Sequence, residues 1–337
     1  MKSPALALLL ALAACSTDPQ PQPEPVRAGP LDVRSLSYPA HWLVEKVGGE
    51  HVQVRNILPL GADAPQWQPE AELIAGLAMS DLIVANGAGF EAWLATATIP
   101  TDKLVLTATG LDLIHTQGVT HSHGADGGHS HAGTDPHTWG SPALYSLQAQ
   151  ALANALGQAV PAQAPSFAQA ADALAVELQK VSEGYAAAFA RAGDAKLAAN
   201  HPAYNYLARE MKVQIQAFDF DPGQAPSQEQ VAAFDAWAGD AHAPILLWEA
   251  VPSMEVKAAF PDGVRHVWLD PLEQPVRGSG YDYLVQVRAN IAIIDALFPP
   301  GEDDEAAVPA QGPPKLGPPT RTKPGPMKGV KANKAGR

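Results

Sequence analysis

Cysteine is nearly missing from this chain: Cys15 is the only one in 337 residues. A lone thiol forms no internal disulfide and builds no thiolate-clustered zinc site, so a transition-metal site here must use His, Asp or Glu. Basic charge is also scarce, with 22 Lys and Arg against 35 Asp and Glu and a formal net charge of −13. No dense basic face is available to neutralise phosphates, which argues against a nucleic-acid partner and favours cationic ligands. The apolar run at Ala5 to Ala11 is too short to span a bilayer as a permanent helix. The H-E-x-x-H helix of many zinc hydrolases does not occur either.

What is present at the amino terminus reads as export. Lys2, the short apolar run and Leu12-Ala13-Ala14-Cys15 form a secretory signal over residues 1–15. The L-A-A-C ending resembles a bacterial lipobox, in which Cys15 becomes the lipidated first residue of an extracytoplasmic, membrane-anchored protein. Proline-rich residues 16–30 suit an extended tether. At the other end, residues 299–337 carry Pro, Gly, Lys and acidic side chains with almost nothing large and apolar, the composition of a disordered tail. Between these ends, 46% hydrophobic residues in the whole chain supply one large or two medium cores.

The densest chemical signal lies between His115 and His137, where 23 residues hold six of the eleven histidines. His115, His121, His123, His129 and His131 sit among Gly, Ser, Thr and Asp, and read as a loop over 115–133. Neutral imidazole is a ready ligand for zinc, copper and nickel. Closing a loose segment round an ion costs ordering entropy, so the run should gather metal weakly rather than seat it. His137 differs, because D-P-H-T-W stands at the edge of folded structure, just before the helix-like run from Pro142.

Strand and helix patterns alternate on both sides of that segment. Strands are expected at 31–38, 51–58, 81–85 and 103–107, with helices at 40–47 and 70–79 and a short one at 90–94. A helix at 142–156 and a long one at 165–190 follow. In the long helix Phe167, Ala171, Leu174, Leu178, Val181, Tyr185 and Phe189 recur at steps of three or four and form one apolar stripe. The alternation then restarts, with strands at 196–200, 213–218, 245–248 and 265–269 and helices at 203–211, 227–238, 255–260 and 281–297. This pattern predicts two α/β lobes with parallel sheets. In such sheets ligands bind beyond the carboxyl ends of the strands, and His201, Glu249 and Asp270 each follow a predicted strand there.

The segments S-Y-P-A-H-W-L-V-E-K-V-G-G at 37–49, S-D-L-I-V-A-N-G-A-G-F-E-A-W-L at 80–94, D-P-H-T-W at 135–139, N-H-P-A-Y-N-Y-L-A at 200–208, and L-D-P-L at 269–272 followed by Y-D-Y-L cover most of residues 31–298. In this order and spacing the chain resembles the metal-binding solute-binding proteins of bacterial ABC transporters, cluster A-I, and most closely their zinc-uptake branch. The resemblance implies two Rossmann-like lobes joined by one long helix, with the metal site in the interlobe cleft. On this reading residues 31–160 form the first lobe, 161–192 the connecting helix and 193–298 the second lobe. It implies His137, His201 and Asp270 as ligands, and a monomer that delivers Zn²⁺ to an ABC permease without covalent chemistry.

The family's first ligand does not match. Where G-x-D-P-H is usual, this chain reads Gly61-Ala62-Asp63-Ala64-Pro65-Gln66, and Pro65 occupies the histidine's place. A tetrahedral zinc site wants four ligands. The open position falls to water or a histidine of the 121–131 loop, with His41 and Asp63 as substitutes. Glu249 is expected to hydrogen-bond near the site rather than bind metal. Histidine favours zinc over manganese, the alternative cargo. A secreted zinc hydrolase is the rival from another class, because two histidines, a carboxylate and an open position also describe a catalytic site.

Overall fold

The computed structural model describes residues 29–115, 120–122, 128–130, 133–275 and 280–299, with only the backbone described at 120–122 and 128–130. The predicted signal with Cys15, nearly all of the tether, His123, His131 and the tail from 300 onward lie outside the described residues. The chain divides into two units, residues 1–299 and 300–337, and every described residue belongs to the first.

The first half builds a parallel sheet from β1 (Leu31–Ser35), β2 (Val52–Asn56), β3 (Leu82–Ala85) and β4 (Leu104–Leu106), in spatial order β2-β1-β3-β4. Helices α1 (Tyr38–Gly48) and α2 (Ala71–Leu77) make the crossovers. α1 starts two residues earlier than its apolar pattern suggests, because Pro39 in the first turn has its φ already set for a helix. β3 is buried along its whole length, as expected of a strand covered on both faces.

The histidine-rich segment is not all loop. Short strands β5 (Thr120–Ser122) and β6 (Gly128–Ser130) pair antiparallel and set His121 opposite His129.

Helices α3 (Pro142–Ala159) and α4 (Ala164–Phe189) follow. The stripe read from the sequence is the buried face of α4, joined by Ala188. Each large apolar side chain removed from water there contributes about 1.5–3 kcal/mol. α4 packs against α1 and α3 of the first half and against α5 (Asn205–Met211) and α8 (Tyr283–Leu297) of the second.

The second half repeats the first design, with β7 (Leu197–Ala199), β8 (Ile215–Ala217), β9 (Ile245–Trp248) and β10 (Arg265–Trp268) in the order β10-β9-β7-β8, all parallel. Helices α6 (Gln228–Ala238) and α7 (Met254–Ala258) complete it. α6 opens on the expected capping box, in which Ser227 Oγ accepts from Gln230 N–H at 3.2 Å and Gln230 Oε1 accepts from Ser227 N–H at 2.8 Å. In both sheets the chain reverses its direction of growth beside the first strand, β1 or β7. The carboxyl ends there are the natural place for a ligand. Among the described residues no helix is long and apolar enough to cross a membrane.

Candidate metal centre

His201 leaves the carboxyl end of β7, and His137 stands in the short link between the histidine-rich segment and α3. Their imidazole centres are 5.4 Å apart. Both residues are only 1% exposed, far below what a solvated surface histidine would show. Glu273 joins them: one ligand atom from each of His137, His201 and Glu273 lies within 4.8 Å of the other two. The two expected histidines therefore converge.

Each histidine is backed by a carboxylate. Asp135 Oδ1 lies 2.7 Å from His137 Nδ1 and also accepts the His137 backbone N–H at 3.0 Å. Two donors to one carboxylate oxygen fix both the ring and the chain that carries it. Nε2 of His137 is thereby turned to Glu273 Oε1, 3.1 Å away. In the same way Glu249 Oε2 lies 2.6 Å from His201 Nδ1, which leaves Nε2 of His201 for the cluster. Glu249 is held in turn by Asn200, whose Nδ2 donates to its Oε1 at 3.2 Å. Carboxylates behind imidazoles set the tautomer and raise ligand basicity, so the role expected of Glu249 fits its position. Asp135 has the same role, and the D-P-H motif could have disclosed it.

The D-P-H turn rests on a buried polar network that starts from the end of β3. Asn86 Nδ2 donates to the Pro136 carbonyl at 2.9 Å, while Asn86 Oδ1 accepts from Thr138 Oγ1 at 2.9 Å and from Gln148 Nε2 at 2.8 Å. Gln148 continues to Thr107 Oγ1 at 2.9 Å. The buried Glu91 carboxylate accepts the N–H groups of Asn86 and Gly87, both at 3.0 Å. Burial raises the Glu91 pKa against these bonds. Satisfied networks of this kind hold one arrangement, because any broken member leaves a buried polar group unpaired.

Asp270, the carboxylate expected to bind metal, lies outside the cluster found among the described residues. Its Oδ1 accepts from Leu272 N–H at 2.9 Å and its Oδ2 from Gln286 Nε2 at 2.6 Å, while its backbone exchanges hydrogen bonds with Asn290. Burial raises its pKa despite the bonds from Gln286 and Leu272. Asp270 thus closes a turn with its own chain two residues on. That turn holds Leu272 at φ +62°, a left-handed conformation rare for a branched residue, and aims the next residue, Glu273, at His137. In L-D-P-L-E the aspartate shapes the loop, and the glutamate three residues later joins the two histidines.

The substitutes for the missing first ligand lie elsewhere. His41 Nδ1 is 3.1 Å from Ser35 Oγ and its Nε2 is 3.4 Å from Glu45, within α1. Burial lowers its pKa, opposed by Glu45. Asp63 opens a turn whose carbonyl accepts from Gln66 and Trp67 N–H, and Pro65 is buried. Neither His41 nor Asp63 belongs to the cluster found among the described residues. Of the auxiliary histidines, His115 is exposed, with Nδ1 2.9 Å from the Gly133 carbonyl. His121 and His129 are placed by backbone only.

Electrostatics at the centre are dominated by His137. Burial alone would lower its pKa, but the Asp135 charge and hydrogen bond, with those of Glu273, overcome desolvation and push it up to about 10. The metal-free centre therefore keeps a proton where a cation would sit.

This architecture has known counterparts. The chain is 22% identical to the metal-dependent lipoprotein YcdH of Bacillus subtilis in its crystal structure, with a TM-score of 0.67 over 79% of this chain and 98% of that one. The Zn(II)-bound ZnuA-like domain of Streptococcus pneumoniae AdcA gives a TM-score of 0.65 at 20% identity, covering 80% of this chain and 99% of that one. Among curated proteins, the zinc-binding lipoprotein AdcA of Streptococcus pneumoniae (strain ATCC BAA-255 / R6) is 25% identical over 276 residues, 78% of this chain and 55% of the relative. The chain thus spans about half the length of the curated relatives it matches at that level. Residues 36–296, which contain every residue of the cluster, match the family model of ZnuA, described as zinc-uptake complex component A, periplasmic, and the chain belongs to that family.

Proposed function

We propose that this protein is an extracytoplasmic solute-binding protein that captures Zn²⁺ between its two lobes and passes it to the permease of an ABC transporter. The observation that carries this reading is the buried convergence of His137, His201 and Glu273, each histidine backed by a carboxylate. Zn²⁺ is the cargo here, held reversibly and released unchanged. Two imidazole nitrogens and one carboxylate suit borderline zinc better than manganese, which prefers oxygen donors. Water or a histidine of the 121–131 segment takes the fourth position. Competitive titration of the metal-free protein with Zn²⁺ and Mn²⁺ tests the assignment: tighter zinc binding is expected, and tighter manganese binding would overturn it.

The lipid anchor belongs to the same proposal, with Cys15 acylated after removal of residues 1–14. It is supported by the Leu12–Cys15 motif and by a relative described as a lipoprotein. Metabolic labelling with a fatty-acid analogue should mark the wild-type protein and not Cys15→Ala. The lobe boundaries, 31–160 and 193–298 about a connector at 161–192, and the monomeric state are likewise part of this reading. Sedimentation of the purified protein tests the last.

A further inference from the structure

The histidine-rich segment joins the rest of the described chain through Ile114–His115 and Gly133–Asp135, and one residue of the second half holds both sides of this neck. Tyr206, on α5 and five residues after His201, accepts the Ile114 backbone N–H at 3.0 Å through its hydroxyl oxygen. The same hydroxyl donates to the Asp135 carbonyl at 2.7 Å. Asp135 N–H in turn donates to the Ile114 carbonyl at 2.8 Å, so three groups close one ring of hydrogen bonds. Arg209, one turn along α5, reinforces the outgoing chain. Its Nη2 donates to the Asp112 carbonyl at 2.8 Å, and its guanidinium lies 5.1 Å from the Tyr206 ring centre. Tyr206 is fully buried, so the hydroxyl has no water to replace a lost partner.

Asp135 is the residue whose carboxylate orients His137. We propose that Tyr206 is a positioning residue that clamps the neck of the histidine-rich segment and thereby holds Asp135, and through it His137, in metal-binding register. The physical need is to keep two stretches of chain 21 residues apart in sequence side by side. Without the hydroxyl, the Ile114 N–H and the Asp135 carbonyl lose their shared buried partner. The backbone that carries Asp135 is then held less firmly. Tyr206 lies five residues after His201, at the start of α5, so the clamp also ties the two histidines to each other through the backbone.

This inference rests on the zinc-binding reading, and its test separates the two. Tyr206→Phe removes one oxygen and keeps the ring under Arg209. In the full chain, Zn²⁺ affinity measured against a chromophoric chelator should fall about tenfold, the lower end of what losing an outer hydrogen bond does to a metal site. The loss should appear as faster dissociation. The same substitution is then made in a protein where Asn-Gly replaces residues 116–132, so that a tight hairpin turn closes the neck covalently. There Tyr206→Phe should change zinc affinity less than twofold. An equal loss in both backgrounds would assign Tyr206 an ordinary packing role and overturn the proposal, as would no loss in the full chain. Amide exchange at Ile114 gives a metal-independent readout, and it should accelerate in Tyr206→Phe of the full chain; unchanged exchange would also overturn the clamp. Failure of the wild-type protein to bind zinc would instead sink the functional reading.

Discussion

Nδ1 of His201 lies 2.6 Å from Oε2 of Glu249, which is delivered by the strand paired with the one that carries His201. The arrangement repeats across the cleft, where Asp135 stands 2.7 Å from Nδ1 of His137. Two half-structures with the same strand order each supply one imidazole and one orienting carboxylate. The cluster is therefore assembled from two similar pairs, one contributed by each half.

Removing either orienting charge should weaken metal binding without unfolding the protein. Asp135→Asn and Glu249→Gln keep size and hydrogen-bonding capacity but lose the charge that stabilises a metal-bound imidazole. A 10–100-fold loss of Zn²⁺ affinity is expected for each. Chelator competition measures it, with circular dichroism as the check on folding. Affinity within twofold of wild type would remove these carboxylates from the account of the site.

Glu273→Gln and Asp270→Asn should separate ligation from loop shape. Glu273→Gln deletes a donor of the cluster and should reduce zinc affinity at least 100-fold with little change in melting temperature. Asp270→Asn leaves the cluster intact but weakens the turn that Asp270 closes on Leu272 and Gln286. It should lower stability by about 1–3 kcal/mol, the cost of a disturbed buried hydrogen-bonded group. The reverse pattern, tight binding lost only with Asp270, would restore Asp270 as the ligand.

That pair also marks how far the sequence could be read. The alternation of strands and helices, the stripe of α4 and the capping box at Ser227 are local signals, and the fold follows them to within a few residues at most boundaries. His137 and His201 were legible because each sits in a short motif at a strand or helix edge. Glu273 was not, because what brings it inward is the left-handed φ of Leu272, a conformation imposed by Asp270, Gln286 and Tyr281 together. A residue's direction after such a turn is set by contacts 10 or so positions away, which periodicity does not report.

One hydrophobic cluster spans both halves, from Leu31 and Trp42 through the α4 stripe to Tyr283 and Ile294, beside separate clusters around Ile83 in the first half and Phe234 in the second. Leu178, 1% exposed at the middle of α4, should then matter to both lobes. Leu178→Ala is expected to cost about 2–5 kcal/mol through lost burial and a residual cavity. Denaturant unfolding followed separately by near-ultraviolet absorbance and far-ultraviolet dichroism should give one shared transition, shifted to lower denaturant. Two transitions, with only one displaced, would show that the lobes unfold independently.

The proton on His137 predicts a pH dependence that metal abolishes. Its pKa rises from an ordinary value near 6.5 to about 10 in the fold, so the folded protein binds more protons than the unfolded chain between those limits. The stabilisation from the Asp135 and Glu273 contacts is complete below about 6.5 and is lost as pH climbs towards 10. The melting temperature of chelator-treated protein should accordingly decline across that window, and His137→Asn should flatten the decline. Bound zinc takes the place of the proton at Nε2, so the loaded protein should lose this dependence. Loading at pH 7 should release close to one proton from this group. Calorimetry of zinc binding in buffers of different ionisation enthalpy counts that proton directly. A count near zero in wild type, or the same count in His137→Asn, would mean that His137 does not meet the ion.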